Sequence, residues 1–147
     1  MEARIRDMVL EDLPWVVATA HRTLSERYRP SLFTDILARW PRGCLIAEAS
    51  GRRVGFLMGA LYGSEARVLM VAVVEEFRRR GIGTALMEEF ERRAKESGAQ
   101  RITLEVRTSN DGAIRLYRRL GYRVVGTLIS YYADGSDAFL MEKVLEH

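Results

Sequence analysis

Apolar positions along this chain change their period several times, and each change marks an element. Glu11, Asp12 and Pro14 suit the first turn of a helix over residues 11–24. Leu32, Ile36 and Leu37 then recur at helical spacing, so residues 31–40 read as a short helix capped by Ser31 and ended by Pro41 and Gly43. Beyond it the period shortens to that of strands. Residues 44–49 and 54–61 are apolar runs around Ser50-Gly51-Arg52-Arg53, a hairpin signal. Residues 67–74 form a third run, so continuously apolar that burial on both faces is expected. Ile82, Leu86, Phe90 and Ala94 form one ridge of the longest helix, 82–97, with Gly98 at its C-terminal end. In residues 101–106, Ile102, Leu104 and Val106 share one face while Thr103 and Glu105 share the other. Asn110 caps a helix carrying Ala113, Ile114, Leu116 and Tyr117, which Gly121 ends. Residues 122–132 and 138–145 close the chain as two strands around a turn at 133–137, and residues 4–6 add a short edge strand.

This order predicts an α/β fold with a mixed sheet of six to seven strands and about four helices over both faces. The central β-α-β segments imply parallel neighbours with right-handed crossover. The 147 residues match one ordinary domain, spanning 1–147.

Charge and composition narrow the function classes. Lys plus Arg number 23 against 20 acidic residues, a net charge of +3. That mild bias permits an anionic ligand; no groove-reading or base-stacking motif accompanies it, so no nucleic-acid partner is expected. Only Lys95 and Lys143 among the basic residues are lysine, which codon bias or a warm habitat explains. The one cysteine, Cys44, excludes an internal disulfide framework, and two histidines, His21 and His147, leave little for a metal centre. No metal is expected. The longest apolar run, 68–74, is too short to cross a bilayer, and the N-terminus is charged from Glu2 onward. A cytoplasmic protein with no membrane partner is the expectation; the pattern sets no oligomeric state.

The most informative stretch is 68–84. An apolar strand leads through Arg78-Arg79-Arg80-Gly81-Ile82-Gly83-Thr84 into the longest helix. Unpaired amides at a helix N-terminus carry partial positive charge and seat a phosphate or pyrophosphate. Gly81 and Gly83 let the backbone approach such a group without a Cβ, and the three arginines add charge. There is no Gly-Lys-Ser/Thr for a Walker-type loop, and no third small residue or ribose-binding acid for a dinucleotide turn. An Arg-rich surface turn before an amphipathic helix is the plain structural alternative.

Arg78-x-x-Gly81-x-Gly83 resembles the coenzyme A pyrophosphate loop of the GNAT acetyltransferase superfamily, and the likeness extends over nearly the whole chain. Two further blocks sharpen it. One runs from Leu104-Glu-Val-Arg-Thr-Ser-Asn110 through Tyr117 to Leu120-Gly121-Tyr122; the other is Tyr131-Tyr-Ala-Asp-Gly-Ser-Asp-Ala138. Together they resemble the branch of bacterial ribosomal-protein alanine acetyltransferases and archaeal protein N-terminal acetyltransferases. The resemblance implies a protein N-terminal acetyltransferase that uses acetyl-CoA as co-substrate. Its acceptor would be the N-terminus of a polypeptide, ribosomal proteins included.

The same resemblance assigns roles. Glu105 matches the family's general base and Tyr117 its general acid. Val71, Ala72 and Val73 match the strand that pairs with the pantetheine arm, and a backbone N–H near Val73 would meet an oxyanion. Arg78, Arg79, Arg80, Gly81, Ile82, Gly83 and Thr84 match the pyrophosphate loop, and Asn110 a coenzyme contact. Glu26 and Tyr28, in the loop at 24–28, with Tyr131 and Tyr132, match the walls that meet the acceptor peptide. Each also has a structural reading: a strand Glu facing outward, a core Tyr, a simple N-cap, an exposed aromatic hairpin. Ser136 stands where this branch often carries an acid, a departure that touches acceptor preference alone. Three alternatives stay open: an acetyltransferase for a small amine such as a polyamine or amino sugar, one for protein lysine, and a non-catalytic coenzyme A-binding module.

Overall fold

The computed structural model describes residues 3–24 and 26–146; Ser25, within the acceptor-side segment 24–28, lies outside them, as do Met1, Glu2 and His147. In chain order the elements are β1 (Arg4–Asp7), α1 (Leu13–Thr23), α2 (Pro30–Arg39), β2 (Cys44–Ala49), β3 (Arg52–Tyr62), β4 (Glu65–Val73), α3 (Ile82–Glu96), β5 (Arg101–Arg107), α4 (Asp111–Arg119), β6 (Arg123–Leu128) and β7 (Ala138–Val144). The strands form one sheet in the order β1-β2-β3-β4-β5-β7-β6. Among the described residues only β4 and β5 pair in parallel, joined by α3; every other adjacent pair is antiparallel. The β-α-β expectation therefore holds for β4-α3-β5. It does not make β5 and β6 neighbours, because β7 inserts between them.

Apolar side chains gather in two clusters, one on each face of the sheet. Leu86, Met87 and Phe90 of α3 pack with Ile102, Leu104 and Met141 on one side. Val16 and Ala20 of α1 and Phe33, Ile36 and Leu37 of α2 pack with Ile46, Phe56 and Met58 on the other. Helices on both faces follow directly from the two apolar stripes.

Three local readings change. β4 is not buried on both faces: its residues alternate between buried and half-buried along its whole length. The cap of α2 is not Ser31; Pro30 occupies the first turn and no side chain caps the helix. β6 stops at Leu128 rather than at residue 132, and residues 129–137 form a loop in which Ser130 has φ 51°. Asp12 stands at the start of α1 as read, as its N-cap residue. It is fully buried, with Arg6 forked across both carboxylate oxygens at 2.8 Å, Arg53 Nε donating at 2.8 Å and the Val9 amide donating at 2.8 Å. Burial alone would push its carboxyl up; these donors outweigh that and hold it well below the usual carboxylate range. Among the described residues no helix is long and apolar enough to cross a membrane.

The feature that positions the site is a bulge. Met58 of β3 pairs with Met70 of β4, but the next residue, Gly59, pairs with Val68, so Leu69 is an extra residue in β4. A bulge bends its strand and increases the local twist. The parallel pairing of β4 with β5 runs from Glu65↔Arg101 to Val68↔Leu104 and ends there. Beyond it the two strands part, and a cleft opens between Leu69–Val73 and Glu105–Arg107.

Candidate active site

Two cavities meet in this cleft. The larger, of about 800 Å³, lies between the end of β4, the start of α3 and the inner face of α4. Val71, Ala72 and Val73 form one wall; Arg78, Arg79, Gly81, Ile82, Gly83 and Thr84 form its head. On the β3 side these β4 residues are paired: Val71 with Leu57, Ala72 with Phe56, Val73 with Gly55. On the β5 side no strand meets them, so their polar groups are available to an extended ligand. One of those groups is already engaged: Arg78 Nε donates to the Val73 carbonyl at 3.1 Å, which fixes the arginine at the cavity's mouth.

Gly81 stands at the N-cap of α3 with φ 83°, a left-handed conformation that costs an L side chain about 1–2 kcal/mol. That kink turns the chain so that the first amides of α3 face the cavity without intrahelical partners. A Cβ at Gly83 would sit 3.5 Å from Leu116 Cδ2, in ordinary contact, so the protein itself does not demand glycine there. Arg80 departs from the expectation. It is absent from the cavity wall, and its guanidinium lies over the Phe77 ring 5.0 Å from the centroid. Arg119 of α4, which sequence reasoning passed over, lines the cavity instead. Asn110 caps α4, its Oδ1 accepting from the Ala113 amide at 3.1 Å, and it lines both cavities.

The smaller cavity, about 380 Å³, is lined by Glu26, Tyr28, Glu105, Arg107, Tyr131 and Tyr132 together with apolar residues of β4. Residues from the α1–α2 loop, β5 and the β6–β7 loop thus converge, although they are far apart in sequence. Glu105 is half-buried and reaches two partners. Arg67 of β4 ion-pairs with its Oε2, and the Tyr131 hydroxyl donates to its Oε1 at 3.0 Å. Burial, together with that carboxylate, pushes the Tyr131 phenol up to about 12. Glu26 Oε1 accepts from the Ala133 amide at 2.8 Å and lies 3.9 Å from Arg107. Arg107 also stacks over the Tyr132 ring, 4.0 Å from its centroid, and bonds both oxygens of Asp134 at 3.1 Å. Tyr131 and Tyr132 meet edge to face at 5.1 Å, and burial raises both Tyr28 and Tyr132 above the usual phenol value.

Tyr117 stands in the wall shared by the two cavities, with Val71, Asn110 and Ala113. Its ring packs edge-on to Tyr122. Burial pushes its phenol up to about 12, so it remains a proton donor throughout the neutral range. A proton acceptor, Glu105, therefore opens into one cavity, and a proton donor stands at the junction with the other. Among the described residues no cluster of His, Cys, Asp or Glu could hold a metal ion.

Besides Arg119, two further site features were missed in the sequence. Arg67 was visible as a lone charge opening an apolar run, a signal that it faces something polar. The bulge at Leu69 left no signal, since an extra apolar residue in an apolar run changes nothing in the pattern.

A family model described as the acetyltransferase (GNAT) family matches residues 4–122. The chain is 37% identical over 153 aligned residues to an N-alpha-acetyltransferase of Sulfurisphaera tokodaii, covering 95% of this chain and 92% of that protein. Its fold is similar to the crystal structure of Ard1 from Thermoplasma volcanium, with a TM-score of 0.95, 36% identity and full coverage of both chains. It is also similar to Chaetomium thermophilum Naa20, solved in complex with a bisubstrate analogue, with a TM-score of 0.88, 30% identity and coverage of 97% of this chain and 86% of that one.

Proposed function

The chain belongs to the acetyltransferase (GNAT) family, and from that premise we propose that it is a protein N-terminal acetyltransferase, acting as one catalytic domain in the cytoplasm. It moves the acetyl group of acetyl-CoA to the free α-amino group of a polypeptide. Ribosomal proteins fall within that acceptor class. The observation that carries the reading is the meeting of two cavities at Tyr117, with Glu105 opening into the smaller one alone.

The larger cavity fits acetyl-CoA. The amides at the start of α3, with Arg78 and Arg79, would hold the pyrophosphate. The free side of Val71–Val73 would hold the pantetheine arm as an added strand. Bound there, acetyl-CoA supplies an activated thioester. The protein's own part is mainly juxtaposition, which alone removes several kcal/mol of barrier. An α-amino group has a pKa near 8 and arrives largely protonated at neutral pH. Glu105 takes the first proton from the ammonium, directly or through one water, and so frees the lone pair that forms the C–N bond. The C–S bond breaks, Tyr117 gives its proton to the departing thiolate, and the nitrogen's second proton leaves to solvent, from which Tyr117 is reprotonated. A positioned base or acid of this kind contributes about 10²–10⁴-fold.

The acceptor wall favours a peptide over a polyamine. A polycation calls for uncompensated carboxylates, yet Glu105 is paired with Arg67 and Glu26 lies beside Arg107. The tyrosine rings offer an apolar slot with hydroxyl groups for peptide backbone. The deciding experiment incubates two sets of peptides with acetyl-CoA and locates the modified nitrogen by mass spectrometry. Peptides with a free N-terminus are expected to gain acetyl there. Equal modification of N-terminally blocked peptides at an internal lysine would make this a side-chain enzyme.

A further inference from the structure

Arg67 has no assigned role, although it sits at the root of the cleft. It pairs in register with Thr103, one residue before the last β4–β5 pair, Val68↔Leu104. Glu105 is the first residue of β5 beyond that pair. The strands part between the two side chains, and the Arg67–Glu105 ion pair bridges the fork.

Arg67 is itself held from behind. Its Nε lies 3.8 Å from Glu65 Oε2, within ion-pair range but too long for a hydrogen bond. Glu65 is fixed in turn: Thr103 Oγ1 donates to it at 2.6 Å and Arg101 at 3.1 Å. The Thr103 hydroxyl, then the arginines, hold the Glu65 carboxyl below its usual value. A chain of fixed charges therefore runs Arg101–Glu65–Arg67–Glu105 and ends on Tyr131. Meanwhile Arg67 Nε is buried without a protein hydrogen-bond partner, a cost of about 1–3 kcal/mol where nothing else satisfies it. An arginine retained only for stability would gain little from that arrangement.

Geometry limits what Glu105 can do. Arg67 occupies Oε2, so the carboxylate plane cannot rotate freely, and Oε1 is the oxygen that accepts from Tyr131, a residue lining the acceptor cavity beside Glu105. We propose that Arg67 is a positioning residue for the acyl transfer, clamping the Glu105 carboxylate so that Oε1 receives the proton of the acceptor amine. This rests on the reading of Glu105 as the general base. Arg67 touches neither substrate and acts only through Glu105.

The test is a double-mutant cycle on the full chain with a free-N-terminus peptide and acetyl-CoA. Glu105→Gln is expected to lower kcat by about 10²-fold or more, the range of a lost general base. Arg67→Gln is expected to lower kcat by about 10- to 100-fold with the KM for acetyl-CoA unchanged, since a misplaced catalytic group costs that much. Arg67→Lys keeps the charge without the fork and is expected to restore part of the loss. In the Glu105→Gln background, Arg67→Gln is expected to cost nothing further, the sign of two residues acting as one unit. Should Arg67→Gln fail to fold, Arg67→Lys in the same two backgrounds carries the test. Wild-type kcat in the Arg67 variants, or losses that multiply in the double variant, would overturn the proposal. Unchanged kcat in Glu105→Gln alone would instead overturn the general-base reading beneath it.

Discussion

The Tyr131 hydroxyl donates a 3.0 Å hydrogen bond to Glu105 Oε1. The exposed wall of the acceptor cavity is thereby joined to the group proposed as base. An incoming amine approaches that oxygen, and Tyr131 must share it or turn to the peptide backbone. Tyr131→Phe is therefore expected to raise the peptide KM by about 2- to 10-fold, the worth of one net hydrogen bond. The KM for acetyl-CoA, whose cavity Tyr131 does not line, is expected to stay unchanged. Steady-state kinetics with each substrate varied in turn checks both.

Tyr117 sets a second expectation, on the alkaline side. Burial pushes its phenol up to about 12, so the proton it donates is present at every pH below that. Its ionisation is lost as a cause of any fall in kcat between pH 8 and 11. Tyr117→Phe is expected to lower kcat by about 10²-fold without altering the shape of the pH profile above 8. A basic limb present in the wild type and absent from the variant would show that the Tyr117 phenol titrates in that range, whereas unchanged kcat in Tyr117→Phe would remove it as the acid.

The coenzyme loop is tested by substitution and by ligand choice. Gly81→Ala meets no neighbouring atom, yet its φ of 83° makes an L residue strained, for a loss of about 1 kcal/mol. The larger effect is expected on acetyl-CoA affinity, because the kink aims the first amides of α3. Thermal unfolding reads both: acetyl-CoA is expected to raise the wild-type Tm, while ATP or NAD at equal concentration leaves it unmoved. The rise is expected to shrink in the variant.

Asp12 governs acid stability. Burial pushes its carboxyl up, but Arg6, the Val9 amide and Arg53 hold it well below the value of the unfolded chain. A depressed folded value means stability that is fully present above about pH 4 and lost as pH falls through the folded value. Asp12→Asn is expected to cost about 3 kcal/mol at pH 7, as breaking a buried ion pair does. The difference from wild type is expected to narrow at pH 3. Urea unfolding of both proteins at the two pH values measures it.

Much of this architecture was legible in the chain because its signals are local. The ridge Ile82, Leu86, Phe90 and Ala94 marked α3, and Asn110 and Gly121 bracketed α4. The Ser50-Gly51 turn announced β2–β3, and both residues do take positive φ. What stayed hidden depends on partners distant in sequence. Asp12 is the helix-start acid it reads as, but its burial beneath Arg53, 41 residues away, left no local sign. Three consecutive arginines could not say which one faces the ligand; the chain's path sends Arg80 onto Phe77. Likewise Ser130 gave no glycine to betray the turn that ends the β6–β7 pairing early. In the site, residue types were readable and their pairing was not. Glu105 stands out in its motif, whereas its ion pair with Arg67 needed two strands brought side by side.

The fork between β4 and β5 leaves the sheet with a seam open at its middle, where most proteins place their firmest hydrogen bonding. A donor molecule that lies along Val71–Val73 would serve as a removable eighth strand, mending the seam each time it binds. At a hundredfold excess over its dissociation constant such a ligand adds about 2.7 kcal/mol to stability. The stability of the whole sheet would then follow the supply of coenzyme, which carries the mending arm whether or not it is acetylated.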